Sequence, residues 1–150
     1  MSRGLLRLTV PAELEVRPSD STLHTSDGRV RLSVKHFPRS DSAQQGLVFT
    51  PEDVLNRLMD SLIFEASYLW ISRPMDRYCG LMKGHFIVAA RDSQTIATER
   101  TEFILLESPR WLHLIKVELR GPRFTLKREQ LDEIYDSATE LQSPAKMVGS

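Results

Sequence analysis

The sequence predicts an α+β fold in which an antiparallel β-sheet carries two helices packed on one face, in the order β-β-β-α-β-β-β-β-α. Three observations predict it. Period-two alternation fills the first third of the chain, stretches after Thr50 and from Leu126 place apolar residues at helical spacing, and short apolar runs between them are separated by turn-forming residues.

Leu6, Leu8 and Val10 alternate with Arg7 and Thr9 before Pro11, the pattern of a strand with one buried face. A second extended stretch at Ser21 to Thr25 meets Asp27-Gly28, after which Val30, Leu32 and Val34 alternate with Arg31, Ser33 and Lys35. Asp-Gly between such runs predicts a hairpin, because glycine accepts the positive φ of the primed turns. Residues 38–47 are polar and read as a surface loop. Thr50-Pro51-Glu52-Asp53 then opens a helix reaching Ile63: Thr50 can cap, proline suits the first turn, and two acids meet the positive end of the dipole. Leu55, Leu58, Met59 and Leu62 line one side of it.

From Tyr68 to Leu119 the pattern becomes a meander of strands at Tyr68 to Ile71, Phe86 to Ala90, Phe103 to Leu106 and Trp111 to Ile115. Ser72-Arg73-Pro74, Arg91 to Gln94 and Ser108-Pro109-Arg110 supply the turns, and Gly121-Pro122 closes the meander. A last helix is expected from Leu126 to Gln142, with Leu131, Ile134, Tyr135, Ala138 and Leu141 on one face. Ser143-Pro144 ends it. The expected organisation is a single domain over 1–142 and a disordered tail over 143–150.

The chain has 150 residues, enough to bury around two-thirds of its unfolded surface without a metal or disulfide staple. Lys plus Arg equals Asp plus Glu at 20 each, which removes the basic excess expected of a nucleic-acid binder. Cys79 is the only cysteine, so no intrachain disulfide forms, and its apolar neighbours read as a structural thiol. No apolar run approaches a membrane span and no secretory leader is visible, so the expectation is a cytoplasmic protein.

Chemistry is sparse. Neither a dinucleotide fingerprint nor a Walker phosphate loop is present, and Gly80 and Gly84 read as marks of a bulge or bend. His24, His36, His85 and His113 are scattered, without metal-ligand spacing. Glu99, Glu102 and His113 could form a constellation across strands, although polar residues on a solvated face explain them more simply. The expectation is therefore no enzyme, no cofactor, no metal and no catalytic residue.

The central strands do not alternate as a half-solvated sheet should. Phe86 to Ala90 and Phe103 to Leu106 are apolar on both faces, and two helices on one face leave the other bare. Either the N-terminal hairpin curls over as a second layer, or a long strand bends so that its ends change environment, or an apolar sheet surface stays open for a partner or a second copy. On the last reading the partner-binding residues are Tyr68, Trp70, Phe86, Val88, Phe103, Leu105 and Trp111.

Taken in order, the elements resemble those of the PsbP-like and DcrB-like group. The likeness is carried by Leu8-Thr9-Val10-Pro11, by Val30 to Val34, by the helix from Pro51 to Ile63, and by Tyr78-Cys79-Gly80 and Gly84-His85-Phe86. Leu112 to Val117 and Leu131 to Ser137 look like the group's penultimate strand and closing helix. The resemblance implies the role of the group's cytosolic chaperones, which accompany type VI secretion effectors and shelter apolar effector segments on a concave sheet. The expected function is a non-enzymatic adaptor or chaperone for a secreted effector, acting as a homodimer. An immunity protein against a toxin, and a small-ligand carrier or enzyme with a pocket between sheet and helix, are the alternatives.

Overall fold

The computed structural model describes residues 2–3, 6–12, 14–16, 22–24, 29–39, 49–64, 68, 70–90, 99–120 and 128–141. The expected turns at Asp27-Gly28, Arg91 to Gln94 and Gly121-Pro122, the loop beyond Arg39, the helix start at Leu126 and the tail at 143–150 lie outside them. In chain order the elements are β1 (Ser2–Arg3), β2 (Leu6–Arg7), β3 (Glu15–Val16), β4 (Leu23–His24), β5 (Val30–Pro38), α1 (Pro51–Phe64), β6 (Trp70–Ile71) and β7 (Met75–Cys79). They continue with β8 (Met82–Ala90), β9 (Arg100–Glu107), β10 (Trp111–Leu119), α2 (Arg128–Asp136) and β11 (Thr139–Glu140). The class and the succession of strands, helix, strands and helix are those the sequence predicts.

An eight-stranded antiparallel sheet runs β3-β4-β5-β10-β9-β8-β6, with β7 also paired to β8. A three-stranded sheet, β1-β2-β11, lies beside it in the topology. β5, β8, β9 and β10 form the centre, in a register that sets Ile115 between Val34 and Ile104, and Ile104 beside Phe86.

The doubly apolar strands are explained by coverage of both faces. Successive side chains of a strand point to opposite sides, and the core divides accordingly. Leu131, Ile134 and Tyr135 of α2 pack with Phe86, Val88, Ile104, Leu106, Ile115 and Val117, joined by Leu6 of β2 and by Leu8 just after it. Val54 and Leu62 of α1 pack with Ile87, Ala89, Phe103, Leu105, Leu112 and Leu114 on the other side. The expectation of both helices on one face is thereby corrected: each helix takes its own face, because each face offers an apolar stripe that water would penalise.

α1 begins as the sequence predicts. Asp53 N–H donates to Thr50 Oγ1 and Thr50 N–H donates to Asp53 Oδ2, both at 3.1 Å, a reciprocal capping box. The backbone hydrogen bond from Thr50, followed by the Thr50 hydroxyl, lowers the Asp53 pKa. α2 stops earlier than expected, at Asp136 and not at Gln142. Ser137 Oγ donates to the Ile134 carbonyl at 2.7 Å and accepts from Thr9 N–H at 2.8 Å, so a local side-chain bond competes with continued helix. Thr139 and Glu140 then pair with Arg7 and Leu6 as strand β11.

Gly80 turns the β7–β8 hairpin at φ 59°, and Gly84 sits in regular register opposite Arg77. No bulge occurs at Gly84: its role is close approach, since a Cβ there would stand 2.6 Å from the Arg77 carbonyl oxygen. Cys79 is buried and burial raises its pKa, as befits a structural thiol. Among the described residues no helix is long and apolar enough to cross a membrane.

Candidate functional site

The residues expected to share one binding face are distributed over two. Phe86 and Val88 are buried beneath α2, and Phe103 and Leu105 beneath α1. Tyr68 packs on the α1 side, its hydroxyl 3.3 Å from Thr101 Oγ1. Trp111 starts β10 opposite Pro38, far from Trp70, which pairs with Ala90. An open apolar sheet face through these residues does not form, because the two helices have taken the area it needed.

Exposed apolar side chains stand instead at the end of α1, at Ile63 and Phe64, and on the edge made by β6 and β7. Trp70 is 53% exposed, Met75 49%, Tyr78 69%, and Leu81 stands fully in solvent at the hairpin tip. The edge is interrupted at Ser72-Arg73-Pro74, where Ser72 N–H donates to the Val88 carbonyl at 2.8 Å and Ser72 Oγ accepts from Val88 N–H at 2.9 Å. That serine keeps β6 and β7 on a common line despite the proline, which has no N–H to give. Among the described residues no strand pairs with the outer side of β7. Of the exposed residues only Trp70 was singled out from sequence; Leu81, an apolar residue in a glycine turn, was the available signal.

The second candidate lies between α1 and the sheet. A groove of about 220 Å³ has Phe103 and Leu114 as its floor and Leu58, Leu62 and Tyr68 as its wall. Ser33, Lys35, Ser61 and Lys116 form its polar rim. Lys116 Nζ is 3.7 Å from Glu118 Oε1 and 5.9 Å from the Phe103 ring centroid. Sequence gives no warning of the two lysines together, since only the β5–β10 register, Leu114 opposite Lys35 and Lys116 opposite Ser33, makes them neighbours.

Of Glu99, Glu102 and His113, considered as a constellation across strands, Glu102 and His113 are fully buried on the α2 side, away from the groove. The register sets Glu102 opposite Val117, four residues along β10 from His113, and Glu99 lies partly exposed before β9. Glu102 accepts from Tyr135 Oη at 2.8 Å and from Arg128 Nη1 at 2.5 Å, and Arg100 Nε adds an ion pair at 2.9 Å. Burial, then the Glu102 charge, raises the Tyr135 pKa. Arg128 loses by burial but is held above its ordinary pKa by its hydrogen bonds to Asp132 and Glu102. His113 Nδ1 meets His36 Nδ1 at 2.8 Å, one ring donating and the other accepting, and its Nε2 stands 3.5 Å from Glu140 Oε2. Burial lowers the His113 pKa, with Glu140 opposing. These groups join α2 and β11 to the sheet: Glu102 is met by three partners, while His113 Nε2 makes no hydrogen bond and has only its long contact to Glu140. Among the described residues no cluster of His, Cys, Asp or Glu is placed to hold a metal.

No family model and no curated protein matches the chain. A crystal structure from Bacteroides thetaiotaomicron VPI-5482 has a similar fold, with a TM-score of 0.56 over 91% of this chain at 4% identity. The chain spans 45% of that protein's length. At such identity the likeness speaks for the fold alone.

Proposed function

We propose that this chain is a non-enzymatic protein-binding module that takes an extended segment of its partner onto the β6–β7 edge. The observation that carries this reading is the group of exposed residues on one sheet edge, Trp70 of β6, Met75 and Tyr78 on opposite faces of β7, and Leu81 in the turn after it, with no described strand paired to the outer side of β7. Backbone groups at such an edge select a strand as their complement, and flanking aromatic side chains anchor it. The role is that of an adaptor or chaperone for a secreted effector, with neutralisation of a toxin as the alternative. The resemblance to the PsbP-like and DcrB-like group supports it; the sheet edge replaces the sheet face as the surface used.

The test pairs this protein with the products of adjacent genes, one at a time, and follows amide hydrogen exchange on mixing. A true partner is expected to slow exchange across Met75 to Cys79, and Tyr78→Lys or Leu81→Lys is expected to weaken binding at least about tenfold. A complex that leaves those amides unchanged, or that both lysine variants form normally, rules the edge out.

A further inference from the structure

The groove under α1 has the properties of a small-molecule site distinct from the edge. Its volume of about 220 Å³ is below the roughly 300–1,000 Å³ of drug-sized pockets and above the roughly 150 Å³ that admits a benzene ring. The space suits one ring or a short chain. Phe103, Leu114, Leu58 and Leu62 offer that body an apolar bed.

The rim supplies the rest of the specification. The chain carries 20 basic and 20 acidic side chains, yet the charged residues lining this groove are Lys35 and Lys116, with no carboxylate among the lining groups. The register makes the two lysines diagonal neighbours on the same face of β5 and β10, a spacing of roughly 7–8 Å between backbones. Like charges on such a diagonal repel, and the long contact from Lys116 to Glu118, itself outside the lining, offsets little of that. An anion between the two ammonium groups would turn repulsion into two charge-assisted hydrogen bonds. Ser33 and Ser61 add hydroxyl donors to the same rim.

We infer that the groove binds a short amphipathic monocarboxylate, its ring or chain on Phe103 and Leu114 and its carboxylate between Lys35 and Lys116. None of the groove's lining residues is among the exposed residues of the β6–β7 edge, so the two sites are tested by different substitutions.

The experiment is an NMR titration of the isotope-labelled full chain with 3-phenylpropionate, octanoate and the neutral alcohol 3-phenylpropan-1-ol. Saturable shifts are expected at Leu58, Ser61, Phe103 and Lys116 with the carboxylates, and binding of the alcohol at least about tenfold weaker. Whichever carboxylate binds tighter assigns the apolar bed to a ring or to a chain. Lys35→Met and Lys116→Met, which keep the aliphatic stems, are each expected to weaken binding about five- to tenfold with melting temperature unchanged, while Lys83→Met has no effect. The inference is overturned by equal affinity for alcohol and acid, by parental affinity in both groove-lysine variants, or by no shift at about 5 mM ligand.

Discussion

The two faces of the central sheet are built from the same strands and finished differently. On the α2 face the helix, with Leu6 and Leu8, closes over the centre of the sheet, burying Phe86, Ile104 and Ile115 and the polar Glu102 and His113, while Trp70 and Met75 at the margin stay exposed. On the α1 face the helix buries Val54 and Leu62 but only half buries Leu58 and Met59, and a groove with a cationic rim remains beside it. Apolar strands therefore do not by themselves make a binding surface. What decides is whether the covering helix is broad enough, and α1 leaves a strip of the sheet between itself and β5 unfilled.

If one face is sealed and the other open, removing apolar volume should cost unequally. Ile104→Ala is expected to lower stability by about 3 kcal/mol in chemical denaturation, and Leu58→Ala at the groove by about 1 kcal/mol. Equal losses would break the contrast. Tyr135→Phe removes a buried donor to Glu102 and is expected to cost about 1.5 kcal/mol, with the far-ultraviolet spectrum unchanged.

Thr50→Ala sharpens the comparison at the start of α1. It deletes half of the capping box and should cost about 1 kcal/mol, while raising the Asp53 pKa toward its ordinary value, both readable by NMR and denaturation. The smallest effect concerns pH. Because His113 has a lowered pKa in the fold, the unfolded chain takes up the proton first as pH falls below about 6.5, so His113's contribution is present above that value and is lost on acidification. A single proton limits the slope to about 1.4 kcal/mol per pH unit, and His113→Gln should flatten that part of the stability profile.

Local chemistry was legible at the start of α1 and in β5, and was missed at the end of α2, where Ser137 bonds back to Ile134. Thr50, Pro51 and Asp53 specify the start of α1 through atoms a few residues apart, and Val30, Leu32 and Val34 specify one face of β5 by alternation alone. The double apolarity of Phe86 to Ala90 was legible as well, but a curled hairpin, a bent strand and an open apolar face all satisfied it. The hairpin expected to curl over is instead β4 and β5 of the main sheet, the cover on the α2 face comes from α2 with Leu6 and Leu8, and none of the expected arrangements placed a helix on each side.

The amino-acid sequence by itself determined the class, the order of elements, the cap of α1 and the demand that both sheet faces be covered, because each of these rests on period, propensity or hydrogen bonds between near neighbours in the chain. Only the tertiary structure decided which helix covers which face, where α2 gives way to β11, and that Lys35 and Lys116 share a rim while Trp70, Tyr78 and Leu81 share an edge. Those outcomes depend on strand register and on how far a helix reaches across a sheet, quantities set by packing between residues distant in sequence.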